Sequence, residues 1–290
     1  MKNRNIVIIG GDKRQKYLKD FLEEKKCNVS SFGLFDWDDD TSKLKGMIKD
    51  NSIIILPLPA SKNNKTINMP YSKKEVTIEK LVDFLGVENK VMGGIIKGSL
   101  KENLESNNIP YVDFYDEDFI EENAKLTAFG LLKILLEHID FALPQGEYAV
   151  LGYGRVAKAV TELLNKLQCN VTIFARNSVA RNSAISNGNK AYSLDYLSEM
   201  SNNFDMIINT IPQKIIFEDT LQNIRENSKI IELASAPYGV DFEEARLNFV
   251  NVIKASGLPG KYTPKTAGEL IALKVLENLG EEGNKWKKQQ

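Results

Sequence analysis

The 290-residue chain has one histidine and two cysteines, and none of its apolar runs approaches the roughly 20 residues needed to cross a bilayer. A single histidine leaves no Cys/His cluster with metal-ligand spacing, so no metal site is expected. Cys27 and Cys169 sit at equivalent places in two halves of the chain, which argues against a disulfide and for buried, reduced thiols. Neither sign of charge prevails. With 38 basic and 39 acidic residues there is no electrostatic case for nucleic acid or an anionic membrane. The first residues run straight into a strand with no signal-peptide h-region, so a cytosolic protein is expected. The lone His138 lies mid-helix beside Glu137 and among leucines, and reads as a helix residue rather than a catalytic base.

What is present is a repeat. Residues 6–32 read IVIIGGDKRQKYLKDFLEEKKCNVSSF and residues 148–174 read YAVLGYGRVAKAVTELLNKLQCNVTIF. Gly10 falls on Gly152, Cys27 on Cys169, Asn28 on Asn170, Val29 on Val171 and Phe32 on Phe174. Each copy is an apolar strand, a glycine turn, an amphipathic helix and a second strand, the opening βαβ of a dinucleotide-type fold. At about 150 residues per domain the length suits two domains. The expected class is α/β, with two Rossmann-like, doubly wound parallel-sheet domains and a cleft between them.

Apolar runs predict strands at 5–9, 28–32, 52–56, 90–93 and 111–113, then at 148–151, 171–175, 206–210, 229–232 and 251–254. Helices are predicted at 13–24 and 77–85, with a loop over 57–70. Leu126, Phe129, Leu132, Leu135, Leu136 and Ile139 recur at helical spacing within a long helix over 116–141. The turn signal Pro144-Gln-Gly146 then sets the expected boundary: residues 1–143 form a substrate domain and 144–265 a nucleotide domain. A last helix at 266–279 is expected to pack back on the first domain. The charged tail 281–290, with Trp286, is expected to fray.

The two copies differ where chemistry would occur. The second has Gly152-x-Gly154-Arg155-Val156-Ala157, in which Gly152 permits the tight turn, Gly154 lets backbone approach a pyrophosphate and Ala157 permits close helix packing. The strand after it ends in Ala175-Arg176-Asn177-Ser178. There is no acidic residue for a ribose 2′-OH, and Arg176 can bond a 2′-phosphate, so NADP is expected over NAD. Asn209-Thr210-Ile211-Pro212, Leu233-Ala234-Ser235 and Gly257-Leu258-Pro259-Gly260 end three more strands of the same crevice and are expected to line it. In the first copy Asp12 stands where the second has Gly154 and would repel a pyrophosphate. Asp12 either caps the helix or works in a site, with Arg14 and Gln15 free to meet a carboxylate or the other domain. Leu56-Pro57-Leu58-Pro59-Ala60-Ser61 and Gly93-Gly94 end two further strands and are expected to line the other wall of the cleft. Thr263-Pro264-Lys265-Thr266-Ala267-Gly268 enters the last helix, with Thr266 as a candidate cap and Lys265 as a cation for a carboxylate ligand.

Together these segments resemble the A-type subunit of dipicolinate synthase over almost the whole chain. The carrying residues are Val7-Ile-Ile-Gly-Gly-Asp12-Lys-Arg14-Gln15, Leu56-Pro57, Leu151 through Ala157, Ala175 through Ser178 and Asn209 through Pro212. The most specific is Gly257-Leu-Pro-Gly260 through Pro264-Lys-Thr-Ala-Gly268. The resemblance implies an NAD(P)-dependent dehydrogenase that makes pyridine-2,6-dicarboxylate from dihydrodipicolinate during sporulation, in the mother-cell cytoplasm of an endospore former. It also implies a B-type flavoprotein as the partner subunit, with a homo-oligomer as the base-rate expectation for such a dehydrogenase. Arg14 and Lys265 are the best cations for the two carboxylates. Lys265 and Asp12 are the candidate catalytic groups, and Gln15, Asn123, Thr127 and Thr266 complete the substrate set. Two departures stand out. The family's Thr-x-Glu-Gly stretch is Thr127-Ala-Phe129-Gly130 here, and Ala236 replaces the basic residue that often follows Leu-Ala-Ser. Two other readings stay open: a shikimate- or alanine-type dehydrogenase of another small acid, and a non-catalytic NADP-binding regulatory subunit.

Overall fold

The computed structural model describes residues 5–35 and 41–280, so the tail with Trp286 lies outside the described residues. The elements run β1 Asn5–Ile9, α1 Lys13–Glu24, β2 Asn28–Phe32, α2 Thr41–Met47, β3 Ile53–Ile55, α3 Ile78–Val82, β4 Lys90–Gly93, α4 Ser99–Ser106 and β5 Tyr111–Asp113. The long α5, Glu117–His138, follows. Then come β6 Glu147–Leu151, α6 Arg155–Lys166, β7 Asn170–Phe174, α7 Ser178–Ser186, β8 Lys190–Tyr192, α8 Leu197–Met200, β9 Met206–Asn209 and α9 Glu218–Asn223. The chain closes with β10 Lys229–Glu232, α10 Phe242–Leu247, β11 Asn251–Lys254, α11 Leu258–Tyr262 and α12 Pro264–Asn278.

One sheet has the order β2-β1-β3-β4-β5 and the other β11-β10-β9-β6-β7-β8. Every strand pair within them is parallel. These are the two common doubly wound orders, and in each the chain reverses direction across the sheet at one point, between β1 and β3 and between β6 and β9. Helices cover both faces because buried parallel strands need apolar partners on both sides. Ile6, Val7, Ile8 and Ile9 of β1 are all buried, as are Tyr148, Ala149, Val150 and Leu151 of β6.

The sequence repeat is a structural repeat down to its register. The first copy pairs strand to strand as Ile6↔Val29 and the second as Tyr148↔Val171, which are the equivalent residues. The Gly10 amide donates to the Phe32 carbonyl and the Gly152 amide to the Phe174 carbonyl, both at 2.8 Å. Lys26 (φ 61°) and Gln168 (φ 59°) make the same left-handed exit from their helices. Cys27 and Cys169 are both buried, with no disulfide among the described residues.

Among the described residues, one compact unit holds those up to Ile120 together with those from Thr263, and the other spans Glu121–Tyr262. Within the first, α12 lies along α1. A Cβ on Gly268 would fall 2.4 Å from the Arg14 carbonyl oxygen, so only glycine allows this approach. Lys274 ties α12 to Asp116 (2.7 Å), and Lys90 donates to the Asn278 carbonyl at the helix end (3.1 Å).

Three expectations need correction. Helix α12 starts at Pro264 rather than 266, because proline suits the first helical position. The cap position therefore falls on Thr263, whose side chain makes no cap bond, and Thr266 is too far inside to cap. Gly257-Leu-Pro-Gly260 is not only a turn, since Leu258–Tyr262 is helical. Strand β8 is absent from the sequence pattern. It is a three-residue edge strand without an apolar run, so it carries no periodic signal.

Candidate functional site

The starts of α1 and α6 are the same backbone feature with opposite occupancy. Helix α6 has Gly154 at its cap position and no side-chain cap bond. A Cβ on Gly154 would meet nothing within 4 Å. The first turn of a helix has N–H groups without intrahelical partners and a positive end of the backbone dipole, so an uncapped start facing open space suits an anion. Val156 is half-buried and Arg155 exposed in this turn.

Helix α1 is closed by its own side chains. Asp12 Oδ1 accepts from the Arg14 amide (3.0 Å), while the Asp12 amide donates to Gln15 Oε1 (3.0 Å), a capping box. Arg14 grips the same carboxylate through Nε and Nη2, both at 2.9 Å, and its Nη2 also donates to the Leu58 carbonyl (2.5 Å). The Gly11 amide donates to the Asn68 carbonyl (2.8 Å). Met69 fills the space beside Gly10 and Gly33, where added Cβ atoms would come within 2.4 and 2.3 Å of it. The crevice that would take a dinucleotide in this unit is thus filled by the unit's own segment 68–69. Of the two readings held for Asp12, the cap is the one seen, and the side chain sits beside Arg14 and Gln15. Gln15 is fully buried, and its Nε2 is a donor left unpaired among the described residues.

Burial pushes the Asp12 carboxyl up. The hydrogen bonds and charge of Arg14, with the charge of Lys62, outweigh that and hold it below 3.8. A depressed carboxylate contributes stability that is fully present above the unfolded value and is lost as pH falls through the lower folded one. Replacing Asp12 with alanine removes the cap and the Arg14 partner, at an expected cost of about 1–2 kcal/mol at neutral pH. Urea denaturation should show the gap to the parent protein narrowing below pH 3.8.

At the reversal point of the second sheet, Gly152 adopts φ +95°, and a Cβ there would lie 2.7 Å from Thr210 Oγ1 and 3.0 Å from Ile211. The Thr210 hydroxyl and amide both donate to the Leu151 carbonyl (2.7 and 3.2 Å), which closes β9 onto β6. At the end of β7, Ala175 is buried, while Arg176, Asn177 and Ser178 are exposed. Asn177 Oδ1 caps α7 by accepting from the Ala180 amide (2.7 Å). Arg176 Nη2 donates to Gln213 Oε1 (3.1 Å), just beyond Pro212, so Arg176 reaches toward the end of β9. Arg181 braces the turn by donating to the carbonyls of Ala175 (2.9 Å) and Arg176 (2.7 Å). Ser235 and Gly257 lie beyond the ends of β10 and β11, and Ala234 is buried.

Sequence reading missed Glu232. It is fully buried at the end of β10 and accepts from Asn209 Nδ2 (2.8 and 3.0 Å), the Ala234 amide (2.9 Å) and the Gly239 amide (2.9 Å). Burial pushes its carboxyl up, and these donors with the Val240 amide pull it back. Asn209 is itself fully buried and also bonds the Ile211 backbone through Nδ2 and Oδ1, both at 3.0 Å. Its side chain is therefore spent on shaping the 209–212 and 233–240 turns. The available signal was an acidic residue closing an otherwise apolar strand, Lys229-Ile-Ile-Glu232, which is costly unless it is fully bonded.

Of the substrate candidates, the first unit brings Asp12, Arg14 and Gln15 together. It places exposed Lys265 and half-buried Thr266 in the first turn of α12, which packs on α1 through Gly268. Asn123 and Thr127 lie one turn apart on α5, where the Thr127 hydroxyl donates to the Asn123 carbonyl (2.9 Å). Both belong to the second unit. No group of His, Cys, Asp and Glu able to hold a metal occurs among the described residues, and no described helix is long and apolar enough to cross a membrane.

Comparison with known proteins agrees with this layout. The N-terminal domain family of the A-type subunit of dipicolinate synthase matches residues 5–115. The A-type subunit of dipicolinate synthase from Bacillus subtilis (strain 168) is 28% identical over 285 residues, covering 94% of this chain and 95% of its own. The crystal structure of its counterpart from Bacillus halodurans superposes with a TM-score of 0.82 at 26% identity, covering 97% of this chain and 99% of that one. D-lactate dehydrogenase from Escherichia coli, at 13% identity and a TM-score of 0.61 over 97% and 98% of the two chains, shares the fold alone. Along nearly its whole length the chain is similar to the A-type subunit of dipicolinate synthase, and residues 5–115 match the model of that subunit's N-terminal domain.

Proposed function

We propose that the protein is an NADP-preferring dehydrogenase that oxidises dihydrodipicolinate to pyridine-2,6-dicarboxylate, in concert with a B-type flavoprotein subunit. The observation that carries this reading is the contrast between the open, uncapped start of α6 and the self-capped start of α1. One unit is left for the nucleotide and the other for the acid. Gly152, Gly154, Arg155 and Val156 hold the pyrophosphate, and Arg176, Asn177 and Ser178 surround the adenosine ribose. Thr210, Ile211, Pro212, Ala234, Ser235 and Gly257 line the nicotinamide end, with Asn209 supporting them. A nicotinamide nucleotide supplies the hydride acceptor.

The protein's own part is modest because the reaction ends in an aromatic ring. The substrate gives up a hydride and a proton, and the gain in aromaticity leaves the chain mainly the work of orientation. The depressed carboxyl of Asp12 makes it a weak base, suited to assist only a proton that leaves readily. Lys265 is the cation for a substrate carboxylate. Arg14 contributes through Asp12, which it already holds, and Gln15 Nε2 offers an unpaired donor. Asn123, Thr127 and Thr266 complete the contacts. The protein works in the mother-cell cytoplasm of an endospore former, a placement supported by its similarity to the Bacillus subtilis protein.

The test is formation of dipicolinate from enzymatically generated dihydrodipicolinate, with NADP or NAD, with and without the B-type flavoprotein. Product above the spontaneous rate supports the reading, and none in any combination rejects it. Arg176→Ala should weaken NADPH binding by about 10- to 150-fold while leaving NADH nearly unchanged, because a charge-assisted bond to a 2′-phosphate is worth about 1.5–3 kcal/mol. Equal losses for both nucleotides would remove Arg176 from that role.

A further inference from the structure

The first unit has a cavity that, of the candidate residues above, only Ser61 touches. It measures about 210 Å³ and is lined by Ser61, Lys62, Asn64, Ile95, Lys97, Gly98 and Leu100. It lies beyond the carboxyl ends of β3 and β4, the side of a parallel sheet where ligands bind. Two loops form it, and backbone and side-chain bonds fasten them together. The Ala60 amide donates to the Gly94 carbonyl (2.8 Å), and Asn64 Oδ1 accepts from the Ser99 amide (3.0 Å). Ser61 Oγ accepts from the Asn64 amide (3.1 Å) and Asn63 Oδ1 from the Lys65 and Thr66 amides, both at 2.9 Å, which fixes the first loop. In the second loop Ile95 is held at φ +60°, a costly conformation for a β-branched residue, while Asp113 accepts from its amide (3.0 Å) and from that of Ile96 (2.8 Å).

The charge in this cavity is one-sided. Lys62 and Lys97 both line it, and neither has an ion-pair partner among the described residues. Helix α4 starts there with Gly98 at its cap and no side-chain cap bond. The nearby acids are Asp113, engaged with three backbone amides, and Glu102 in the first turn of α4. The cavity is smaller than the roughly 300–1,000 Å³ of drug-sized pockets, which suits a small acid rather than a nucleotide.

We propose that this cavity binds a small dicarboxylate, with Lys62 and Lys97 each holding a carboxylate. The proposal rests on the reading of the first unit as the substrate domain and adds a second dicarboxylate-binding place to it, apart from Lys265. Lys62 also places its charge within reach of Asp12, which links the cavity to the start of α1.

The test is calorimetric titration of the full chain, with and without NADP, using pyridine-2,6-dicarboxylate, malate and inorganic phosphate. The compared proteins are the parent, K62A/K97A, K62R/K97R and the remote K166A. Pyridine-2,6-dicarboxylate should bind the parent and K166A alike. The double alanine variant should bind it about 100-fold more weakly, at about tenfold per lysine, with the double arginine variant in between and NADPH affinity unchanged throughout. Parent-like affinity in K62A/K97A overturns the site while leaving the proposed reaction intact. Lysine-dependent binding of malate or phosphate without pyridine-2,6-dicarboxylate keeps an anion site and removes the proposed substrate. No binding of any probe to the parent overturns the site.

Discussion

Gly154→Asp should abolish nucleotide binding without harming the fold. The substitution makes the second repeat copy the first, in which Asp12 occupies the equivalent position and caps α1. Nothing lies within 4 Å of a Cβ at Gly154, and its φ of −79° suits any residue, so the new side chain has room and no strain. Aspartate is as good a cap as glycine or better by a few tenths of a kcal/mol, so the melting temperature should hold or rise slightly. The carboxylate would take the amides that an incoming pyrophosphate needs and would repel its charge. The expected loss is at least about 100-fold in NADPH affinity, or roughly 2.7 kcal/mol. Gly154→Ala serves as the companion variant. It keeps the amides available and should lose far less.

The second large effect is on stability. Glu232→Ala should destabilise the second unit by about 3–5 kcal/mol, the range for removing one partner of a buried charged network. The carboxylate joins the ends of β9 and β10 to the turn at Gly239. Removing it strands two backbone amides and the Asn209 side chain in a buried place. Glu232→Gln keeps the shape and one acceptor but points an amide NH2 at other donors, so an intermediate loss is expected. Chemical denaturation of the three proteins checks the order. The pH dependence has a definite sign. Because the folded carboxyl is raised above 4.5, its contribution is most favourable below that value and declines as pH rises through the folded value. The parent protein should therefore show a shallower acid loss than its other carboxylates alone would give. An alanine variant as stable as the parent would mean that the Glu232 network carries no stability.

The βαβ repeat was the most legible feature because both periodicities coincide there: unbroken apolar strands, a 3.6-residue helix face and glycine at the turn. The boundaries of α1, β1 and β2 follow the sequence pattern closely for that reason. The contrast of Asp12 with Gly154 was legible as well, although the sequence left open whether Asp12 caps the helix or works in a site, and the structure shows the cap. Less legible was everything that depends on side chains from distant segments. Met69 packing on Gly10 and Gly33, Gln213 reaching Arg176 and Asn209 meeting Glu232 are contacts between residues far apart in the chain. No local period announces them. On α5, Phe129 and Leu136 fit the helical spacing, yet they are 53% and 59% exposed. Periodicity identified the helix but not which face the protein covers. Lys62 and Lys97 were invisible as a pair because their loops, distant in sequence, are joined by bonds such as those to Asn64 and Gly94.

The measurement closest to the central claim is the stoichiometry of NADPH binding to the intact chain, by calorimetry, with Gly154→Asp measured beside it. One site per chain in the parent protein, tighter for NADPH than for NADH and lost in the variant, is the expected result. Two sites per chain, or binding that survives Gly154→Asp, would contradict the assignment of the open α6 start as the nucleotide site and the self-capped α1 start as closed to it.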